Sequence, residues 1–339
     1  MKIGMMLPST YSIGSPFNGV REQAYFQAAA LEALGQEVVR LNPWDKYKLE
    51  EFDVIHFFQG GPAMNAIETT AINRQYKLVF APIIDADMPN WRYKFAAKIG
   101  GIHPKLKSIQ GYYAVQALNS DAVVARSSHE RSKLVDGLGV NMNDVHLVLN
   151  GCPEPKVASS ARARARIGIS EDFIFHVSKI SNKNKNVANM IRAIAPTGRQ
   201  LVIAGTSEDN EQYREITSLA DKSENVHFIG RVDDQTRDDL YAACRVFCLP
   251  SYREGTGLVA VEAAAHGAAV VITANGGPPD YFQSFVDYVH GQSPEEIRTA
   301  VDSAWNRSVG DREAMRTHAI EKLSWKSSAN QLIKLYESL

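Results

Sequence analysis

The sequence predicts an α/β protein built from two doubly wound parallel sheets in tandem. Three observations support this fold class: a length of 339 residues, short apolar runs separated by segments with helical spacing, and a break in that pattern near the middle. One compact core rarely grows to this length, so two domains are expected. Buried strands that alternate with helices are typical of parallel sheets covered by helices on both faces.

Five short apolar runs in the first half of the chain predict buried parallel strands. They lie at residues 2–7, 54–58, 78–84, 122–127 and 145–149. Between the first two runs, the segment 19–34 has helical spacing, because Ala24, Ala28 and Leu31 would share one face. The first half therefore predicts a sheet whose strands are joined by helices.

The pattern stops at residues 150–155, where an Asn-Gly pair and two prolines predict a linker. A second series of apolar runs follows at 173–177, 200–204, 226–229, 246–249 and 269–272. A last amphipathic helix is predicted for residues 327–338. These features predict domains at 1–153 and 154–322, followed by a closing segment at 323–339.

The composition excludes several classes of protein. Lys and Arg number 37 and Asp and Glu number 38, so the net charge of −1 gives no bulk attraction to nucleic acid or to an anionic surface. Three cysteines are too few for a disulfide framework or a closed zinc site, which favours a reducing cytoplasm. The first apolar run is short and is interrupted by Pro8, so neither a signal peptide nor a membrane span is predicted.

The segment from Pro250 to Ala263 is the strongest candidate for a functional site. A predicted strand is followed by a loop with Glu254 and two glycines, and then by a helix rich in small residues. Glycines let backbone N–H groups approach an anion, and a helix N-terminus adds about half a positive charge. Carboxylates accept hydrogen bonds from hydroxyl groups and repel bare phosphate. The segment therefore predicts a site for a sugar that lies between phosphates and the carboxylates of Glu254 and Glu262.

This segment resembles the E-x7-E motif of family 4 retaining glycosyltransferases, because seven residues separate Glu254 from Glu262 and include Gly-Thr-Gly-Leu. The resemblance implies the GT-B fold, with two Rossmann-like doubly wound domains that face a central cleft. It also implies that Glu254 contacts the donor sugar as a catalytic group and that Glu262 contacts the nucleotide ribose. The backbone implied to surround the sugar and the diphosphate belongs to Gly255, Thr256, Gly257 and Leu258.

Lys179 and Lys185 resemble the cationic pair that neutralises the donor diphosphate in this family. The family usually has Gly-Arg at the strand end, whereas this chain has Ser178 and Lys179. Lysine supplies a point charge without the bidentate geometry of arginine. Both lysines are candidate catalytic and donor-binding residues. A plain polar turn is the alternative for the Asn- and Lys-rich segment at 182–186.

Further matches extend the resemblance over nearly the whole chain. Arg231 and Val232 follow a strand-end glycine, at the place where the family contacts the nucleotide base. Gly14 and Ser15 resemble the glycine-rich loop that reaches the donor phosphates. The resemblance also implies that residues 1–153 form the acceptor side, that 154–322 bind the nucleotide sugar, and that the closing helix crosses back to the first domain.

Asp85 stands at a strand end where the family usually carries a histidine. It is a candidate catalytic residue that orients the acceptor hydroxyl or acts as a base, and the alternative is that it caps the following turn. Asp85-Ala86-Asp87 imitates the D-x-D metal motif, but that motif belongs to a transferase fold with a different architecture. We expect no metal and no cofactor besides the nucleotide sugar substrate.

A basic and aromatic cluster runs from Trp91 to Lys107. It is a candidate for peripheral contact with anionic lipid or with a phosphate-bearing acceptor, and the alternative is an ordinary solvated helix face. No recognised nucleic-acid-binding module accompanies the cluster, so nucleic acid is not an expected partner.

The expected activity is retaining transfer of a hexose from a UDP- or GDP-sugar to a saccharide or a lipid-linked acceptor, in cell-surface polysaccharide or glycolipid synthesis. The expected location is the cytoplasm or the inner face of the membrane. Residues 255–260 also fit the G-x-G-x-x-A fingerprint of dehydrogenases. A nucleotide-sugar epimerase or hydrolase and a catalytically silent sugar-binding subunit are further alternatives.

Overall fold

The structure is a computed structural model, and it describes residues 1–8, 19–42, 44–62, 75–84, 88–102, 108–291 and 293–339. The strands are β1 (Lys2–Met6), β2 (Glu37–Arg40), β3 (Val54–Phe58), β4 (Lys77–Ala81), β5 (Ala122–Ala125), β6 (Val145–Leu147), β7 (Phe173–Lys179), β8 (Gln200–Thr206), β9 (Val226–Gly230), β10 (Val246–Leu249), β11 (Ala269–Thr273) and β12 (Asp287–Val289).

The helices are α1 (Gly19–Ala33), α2 (Asn90–Ile102), α3 (Ile109–Leu118), α4 (Ser128–Ser132), α5 (Ser160–Ile167), α6 (Val187–Ile194), α7 (Glu211–Ala220), α8 (Asp234–Ala243), α9 (Leu258–Ala265), α10 (Pro278–Phe282), α11 (Pro294–Trp305), α12 (Val309–Lys322) and α13 (Trp325–Ser338). Across the described ranges, no helix has both the length and the apolar character needed to span a bilayer.

The chain divides into two compact units. The first contains Met1–Gly151 together with Trp325–Leu339, and the second contains Cys152–Ser324. Among the described residues, each unit has one six-stranded sheet in which the neighbouring strands are parallel. The α/β fold class predicted from the sequence is therefore confirmed.

The sheet of the first unit has the strand order β2-β1-β3-β4-β5-β6 and carries a core on both faces. Side chains along β3 alternate between these cores, because successive residues of a strand point to opposite faces. Val54 and Phe58 pack with residues of α1 and α13, whereas Ile55 and Phe57 pack with Tyr93 and other residues of α2 and α3. Burial on both faces explains why β3 consists entirely of buried residues.

The sheet of the second unit has the order β12-β11-β10-β7-β8-β9. Counted from β7, this is the 3-2-1-4-5-6 order of a Rossmann sheet, and the direction of winding reverses between β7 and β10. Ligands of such sheets bind outside the carboxyl ends of the strands at this reversal. The strand order therefore predicts a ligand site at the loops that follow Lys179 and Leu249.

Two strands were not predicted from the sequence, and both lie at an edge of their sheet. β2 and β12 each have one neighbouring strand, and they contain four and three residues. Residues of β2 are exposed or half-buried, so the strand lacks the continuous apolar run of the central strands.

The last helix is held in the first unit by a buried polar contact. The Tyr336 hydroxyl on α13 lies 2.6 Å from His56 Nδ1 on β3, and both side chains are buried. Burial lowers the pKa of His56 to about 3, so the imidazole is neutral at physiological pH. Its Nε2 has no hydrogen-bond partner among the described residues. The Tyr336 hydroxyl therefore supplies the hydrogen bond that the buried His56 ring makes through Nδ1.

Removing that hydroxyl tests the attachment of α13. We expect Tyr336→Phe to lower the free energy of unfolding by about 1–3 kcal/mol, because it leaves a buried ring nitrogen without a partner. Urea unfolding measures the change. Tyr25→Phe is the matched control, because Tyr25 is 59% exposed. An equal effect of the two substitutions would contradict a specific role for the buried contact.

Candidate functional site

Two loops meet at the carboxyl edge of the second sheet, where its winding reverses. One follows β7 and the other follows β10, and these strands are neighbours. The Asn184 side-chain amide donates to the Arg253 carbonyl at 2.8 Å, and the Tyr252 N–H donates to the Asn184 carbonyl at 2.8 Å. The Asn186 amide donates to the Pro250 carbonyl at 3.1 Å. These hydrogen bonds join the two loops into one structure.

A charged pair lies where these loops join. Lys185 Nζ donates to Glu254 Oε1 at 2.6 Å, and the Ser251 hydroxyl lies 2.5 Å from the same oxygen. The side chains of Lys185 and Glu254 are only 21% and 11% exposed, and Ser251 is fully buried. Within the described residues, Glu254 Oε2 makes no hydrogen bond. The pair therefore fixes one carboxylate oxygen, and the other makes no hydrogen bond to the described residues.

The backbone of Glu254 is fixed by the segment after β11. Its N–H donates to the Asn275 carbonyl at 3.1 Å, and its carbonyl accepts from the Gly277 N–H at 3.0 Å. Gly276 lies between them with φ of +105°, and a Cβ at this position would stand 2.0 Å from the Glu254 carbonyl oxygen. Glycine is required here because both the backbone conformation and the close approach exclude a side chain.

Helix α9 begins directly after this loop. Gly257, the residue before the helix, has φ of +80°, and an added Cβ would lie 2.6 Å from Ile272 Cδ1. Thr256 is buried with its hydroxyl 3.3 Å from that of Tyr281, whereas Gly255 and Leu258 are half-buried. The N-terminal N–H groups of α9 therefore come only a few residues after Glu254 in the chain. N–H groups at a helix N-terminus can bind an anion, and a carboxylate can accept hydrogen bonds from hydroxyl groups.

Glu262 lies on α9 and has its own partners on α8. The Tyr241 hydroxyl donates to Glu262 Oε2 at 3.2 Å, and Arg237 Nε lies 3.5 Å from the same oxygen. Burial, reinforced by the charge of Glu262, raises the pKa of Tyr241 well above its usual value. Tyr241 therefore remains a protonated donor, and together with Arg237 it orients the second glutamate.

A buried histidine connects β7 to β10 beneath the joined loops. His176 Nδ1 lies 2.7 Å from the Cys248 carbonyl, and Nε2 lies 2.7 Å from the Ser178 hydroxyl. A carbonyl only accepts hydrogen bonds, so Nδ1 carries the proton and Nε2 accepts from Ser178. Burial, together with the nearby charge of Lys185, lowers the pKa of His176 to about 4. The neutral ring adds no positive charge beneath the site.

The remaining predicted residues are more dispersed. Lys179 ends β7, but its ammonium pairs with Glu208 at 2.6 Å, and both side chains are exposed. Arg231 and Val232 follow β9, which is separated from β7 by β8. The structure therefore joins Lys185 directly to Glu254. Lys179 lies at the end of β7, before the loop that carries Lys185, and Arg231 lies after β9 at the same edge of the sheet.

Three predicted site residues, Gly14, Ser15 and Asp85, lie outside the described residues, as do Asp87 and residues 103–107 of the basic cluster. In the parts of the chain that are described, no group of three or more His, Cys, Asp or Glu side chains is arranged to hold a metal ion.

Sequence reasoning assigned no role to Ser251, Arg237, Tyr241 or His176. Ser251 belongs to the quoted motif, but its contact with Glu254 depends on the folding of the loop. Arg237 and Tyr241 are four residues apart and so share a helix face, and this spacing is a signal that could have paired them with an acid. The contacts of His176 join two strands that are far apart in the sequence.

Comparison with known families matches residues 159–322 to the family described as Glycosyl transferases group 1. These residues include the joined loops, α8 and α9. The match covers just under half of the chain and lies within the second unit.

Relatives with assigned names are similar over about half of their own length. A glycosyltransferase of Methanocaldococcus jannaschii whose activity is uncharacterized is 29% identical over 189 residues, which cover 51% of this chain and 47% of the relative. A D-inositol 3-phosphate glycosyltransferase of Thermobifida fusca is 26% identical over 67% of this chain and 57% of its own.

Solved structures of the GT-B type resemble the whole chain in fold. A sucrose-phosphate synthase from Thermosynechococcus elongatus superposes with a TM-score of 0.73 at 18% identity, over 99% of this chain and 98% of its own. The Anabaena protein HepE, in complex with UDP-glucose, superposes with a TM-score of 0.74 at 15% identity over 100% of both chains. The expected GT-B fold with two Rossmann-like domains is confirmed.

The need for glycine at position 276 is testable. We expect Gly276→Ala to lower the free energy of unfolding by about 1–3 kcal/mol or more, because a Cβ would collide with the Glu254 carbonyl. Urea unfolding measures the loss. Gly168→Ala is the matched control: its φ is +69°, but an added Cβ meets nothing within 4 Å. Losses of equal size would show that conformation alone, without the collision, accounts for the effect.

Proposed function

We propose that this chain is a retaining glycosyltransferase that moves a hexose from a nucleoside diphosphate sugar to a saccharide or lipid-linked acceptor. The observation that carries the proposal is the Lys185, Ser251 and Glu254 cluster at the winding reversal of the second sheet. In this proposal residues 154–322 bind the donor, residues 1–153 form the acceptor side, and the closing helix at 323–339 completes the first domain.

The two glutamates take different parts of the donor. Glu254 Oε1 is occupied by Lys185 and Ser251, so Oε2 accepts a hydrogen bond from a hydroxyl of the transferred sugar. Glu262 accepts from the ribose hydroxyls while Tyr241 and Arg237 fix its orientation. The family resemblance of the E-x7-E motif supports this division of roles.

The diphosphate is bound by positive groups at the same edge. The N-terminus of α9 supplies backbone N–H groups, and Lys185 supplies an ammonium next to the sugar-binding carboxylate. Lys179 is held by Glu208 in an exposed ion pair, which contributes little free energy and can be exchanged for a phosphate. These groups stabilise the charge that develops on the leaving nucleoside diphosphate.

The bonds made and broken in the proposed transfer belong to the donor and the acceptor alone. The bond between the sugar anomeric carbon and the β-phosphate oxygen breaks, and the acceptor hydroxyl forms a new bond to that carbon on the same face. The acceptor proton passes to an oxygen of the departing phosphate. Retention of configuration is inferred from the family resemblance, and no metal is required in this proposal.

The relatives support a nucleotide sugar as donor. One similar structure is a complex with UDP-glucose, and another is a complex with UDP. Relatives at 26% identity include a D-inositol 3-phosphate glycosyltransferase and an alpha-maltose-1-phosphate synthase. Their names indicate different products, so the acceptor class stays broad. The proposed donor is a UDP- or GDP-sugar. Synthesis of a cell-surface polysaccharide or glycolipid is the proposed setting.

Donor binding is the first test of this function. We expect UDP or GDP to raise the melting temperature in the presence of a chelator, because binding at 100 times the dissociation constant adds about 2.7 kcal/mol to stability. A thermal-shift assay with UDP, GDP, ADP, CMP and NAD measures this. A response to NAD alone would favour the dehydrogenase alternative, and a strict requirement for a divalent cation would overturn the metal-independent proposal.

The role of Glu254 is tested by its amide. We expect Glu254→Gln to reduce transfer from UDP-glucose or GDP-mannose by about 100-fold or more, because the amide replaces a charged acceptor at the reacting sugar. Product formation with a panel of saccharides and lipid extracts is the measurement. The proposal predicts that nucleoside diphosphate binding persists in the variant.

Glu313→Gln is the matched control, because Glu313 lies on α12 and is 58% exposed. Near-normal transfer by Glu254→Gln would remove Glu254 from the reaction. Donor consumption by the unmodified protein without any acceptor product would instead favour the hydrolase or epimerase alternative.

A further inference from the structure

Helix α2 presents an outward face that combines aromatic and cationic side chains. Trp91 and Phe95 are 62% and 60% exposed, and Arg92, Lys94 and Lys98 are exposed beside them. At about 100° per residue, Trp91 and Phe95 stand about 40° apart on the helix. Lys94 and Lys98 then lie on one side of the two rings and Arg92 lies on the other. The face therefore has an apolar centre with positive margins.

The opposite face of α2 is anchored in the first unit. Tyr93 projects about 180° away from the centre of the aromatic face, is buried, and packs against Gly137 and beneath the ammonium of Lys133. The orientation of the helix is consequently fixed by its core contacts. The exposure of Trp91 and Phe95 is a property of the fold, since the buried position is already taken by Tyr93.

The charged residues of the sequence segment that contains α2 have one sign. The sequence from Met88 to Ser120 contains Arg92, Lys94, Lys98, Lys105 and Lys107 and no Asp or Glu. Among the described residues, no carboxylate forms an ion pair with Arg92, Lys94 or Lys98. The guanidinium of Arg92 lies over the Trp91 ring, 5.3 Å from its centroid. The outward face of α2 is therefore cationic although the whole chain has a net charge of −1.

We propose that this face of α2, formed by Trp91, Arg92, Lys94, Phe95 and Lys98, binds the surface of an anionic lipid bilayer. Aromatic rings enter the region between headgroups and acyl chains, while lysine and arginine extend to the phosphates. The helix lies in the plane of the interface, and the contact is peripheral. This inference concerns the location of the protein and is independent of the proposed transfer reaction.

A bilayer fits this face better than the other occupants. A free phosphate or a phosphorylated sugar would pair with the cations but gives no reason for two exposed aromatic rings. A symmetric contact with a second copy of the chain would bring the same positive side chains together, which is electrostatically unfavourable. An anionic bilayer is complementary to both the charge and the apolar centre of the face.

Vesicle binding tests the proposal directly. We expect the full chain to float with vesicles that contain phosphatidylglycerol in phosphatidylcholine and to remain unbound with phosphatidylcholine alone. Higher salt should weaken the binding because it screens the charges. Replacing all three cations in Arg92→Glu, Lys94→Glu and Lys98→Glu should reduce the affinity at least about tenfold.

The matched charge control is Lys46→Glu, Lys156→Glu and Lys222→Glu, which replaces three exposed lysines elsewhere and changes the net charge by the same amount. Retained binding in the α2 variant, or equal loss in both, would overturn the proposal. Melting temperatures of both variants show whether each remains folded.

Tryptophan fluorescence provides a second measurement. We expect anionic vesicles to shift the emission to shorter wavelength, because Trp91 moves from water to the interface. The shift should disappear in Trp91→Ser and persist in Trp44→Ser, since Trp44 is 92% exposed at another site of the first unit. A shift that survives in Trp91→Ser, or binding to nucleic acid without binding to vesicles, would overturn the proposal.

Discussion

The close approach of Gly276 to the Glu254 carbonyl is the constraint on which the arrangement of the candidate site depends. Two hydrogen bonds to the segment after β11 fix the Glu254 backbone, and no side chain at position 276 fits between the two segments. Because the backbone is fixed, the carboxylate reaches Lys185 and Ser251 with short contacts. The site is therefore held by the loops that follow three adjacent strands of the sheet, β7, β10 and β11.

The fold followed from the sequence wherever strands are buried on both sides. Of the central strands, β10 is a continuous apolar run and β3 is apolar apart from His56, and the hydrophobic effect favours burial of such runs. The edge strands β2 and β12 escaped prediction because a strand with one neighbour can remain polar and short. Their positions are determined by pairing with β1 and β11, which is a property of the folded chain.

The candidate site was predictable to the extent that its residues follow each other in the chain. The spacing of Glu254 and Glu262 is visible in the sequence, and so is the strand end before Lys179. The roles of Ser251 and Tyr241 come from contacts made in the folded structure. The pairing of Lys179 with Glu208 likewise depends on the adjacency of β7 and β8. The assigned roles of Glu254, Glu262, Lys179 and Lys185 stay predictions.

The membership of α13 in the first unit has a consequence for biosynthesis. Ala329, Leu332, Leu335 and Tyr336 complete a core that begins with β1, and the second unit lies between them in the chain. Domains usually fold in the order in which they leave the ribosome. Here the second unit is synthesised completely before the first has all of its core residues. The first unit must wait, with part of its apolar surface uncovered, until the ribosome has translated the last helix.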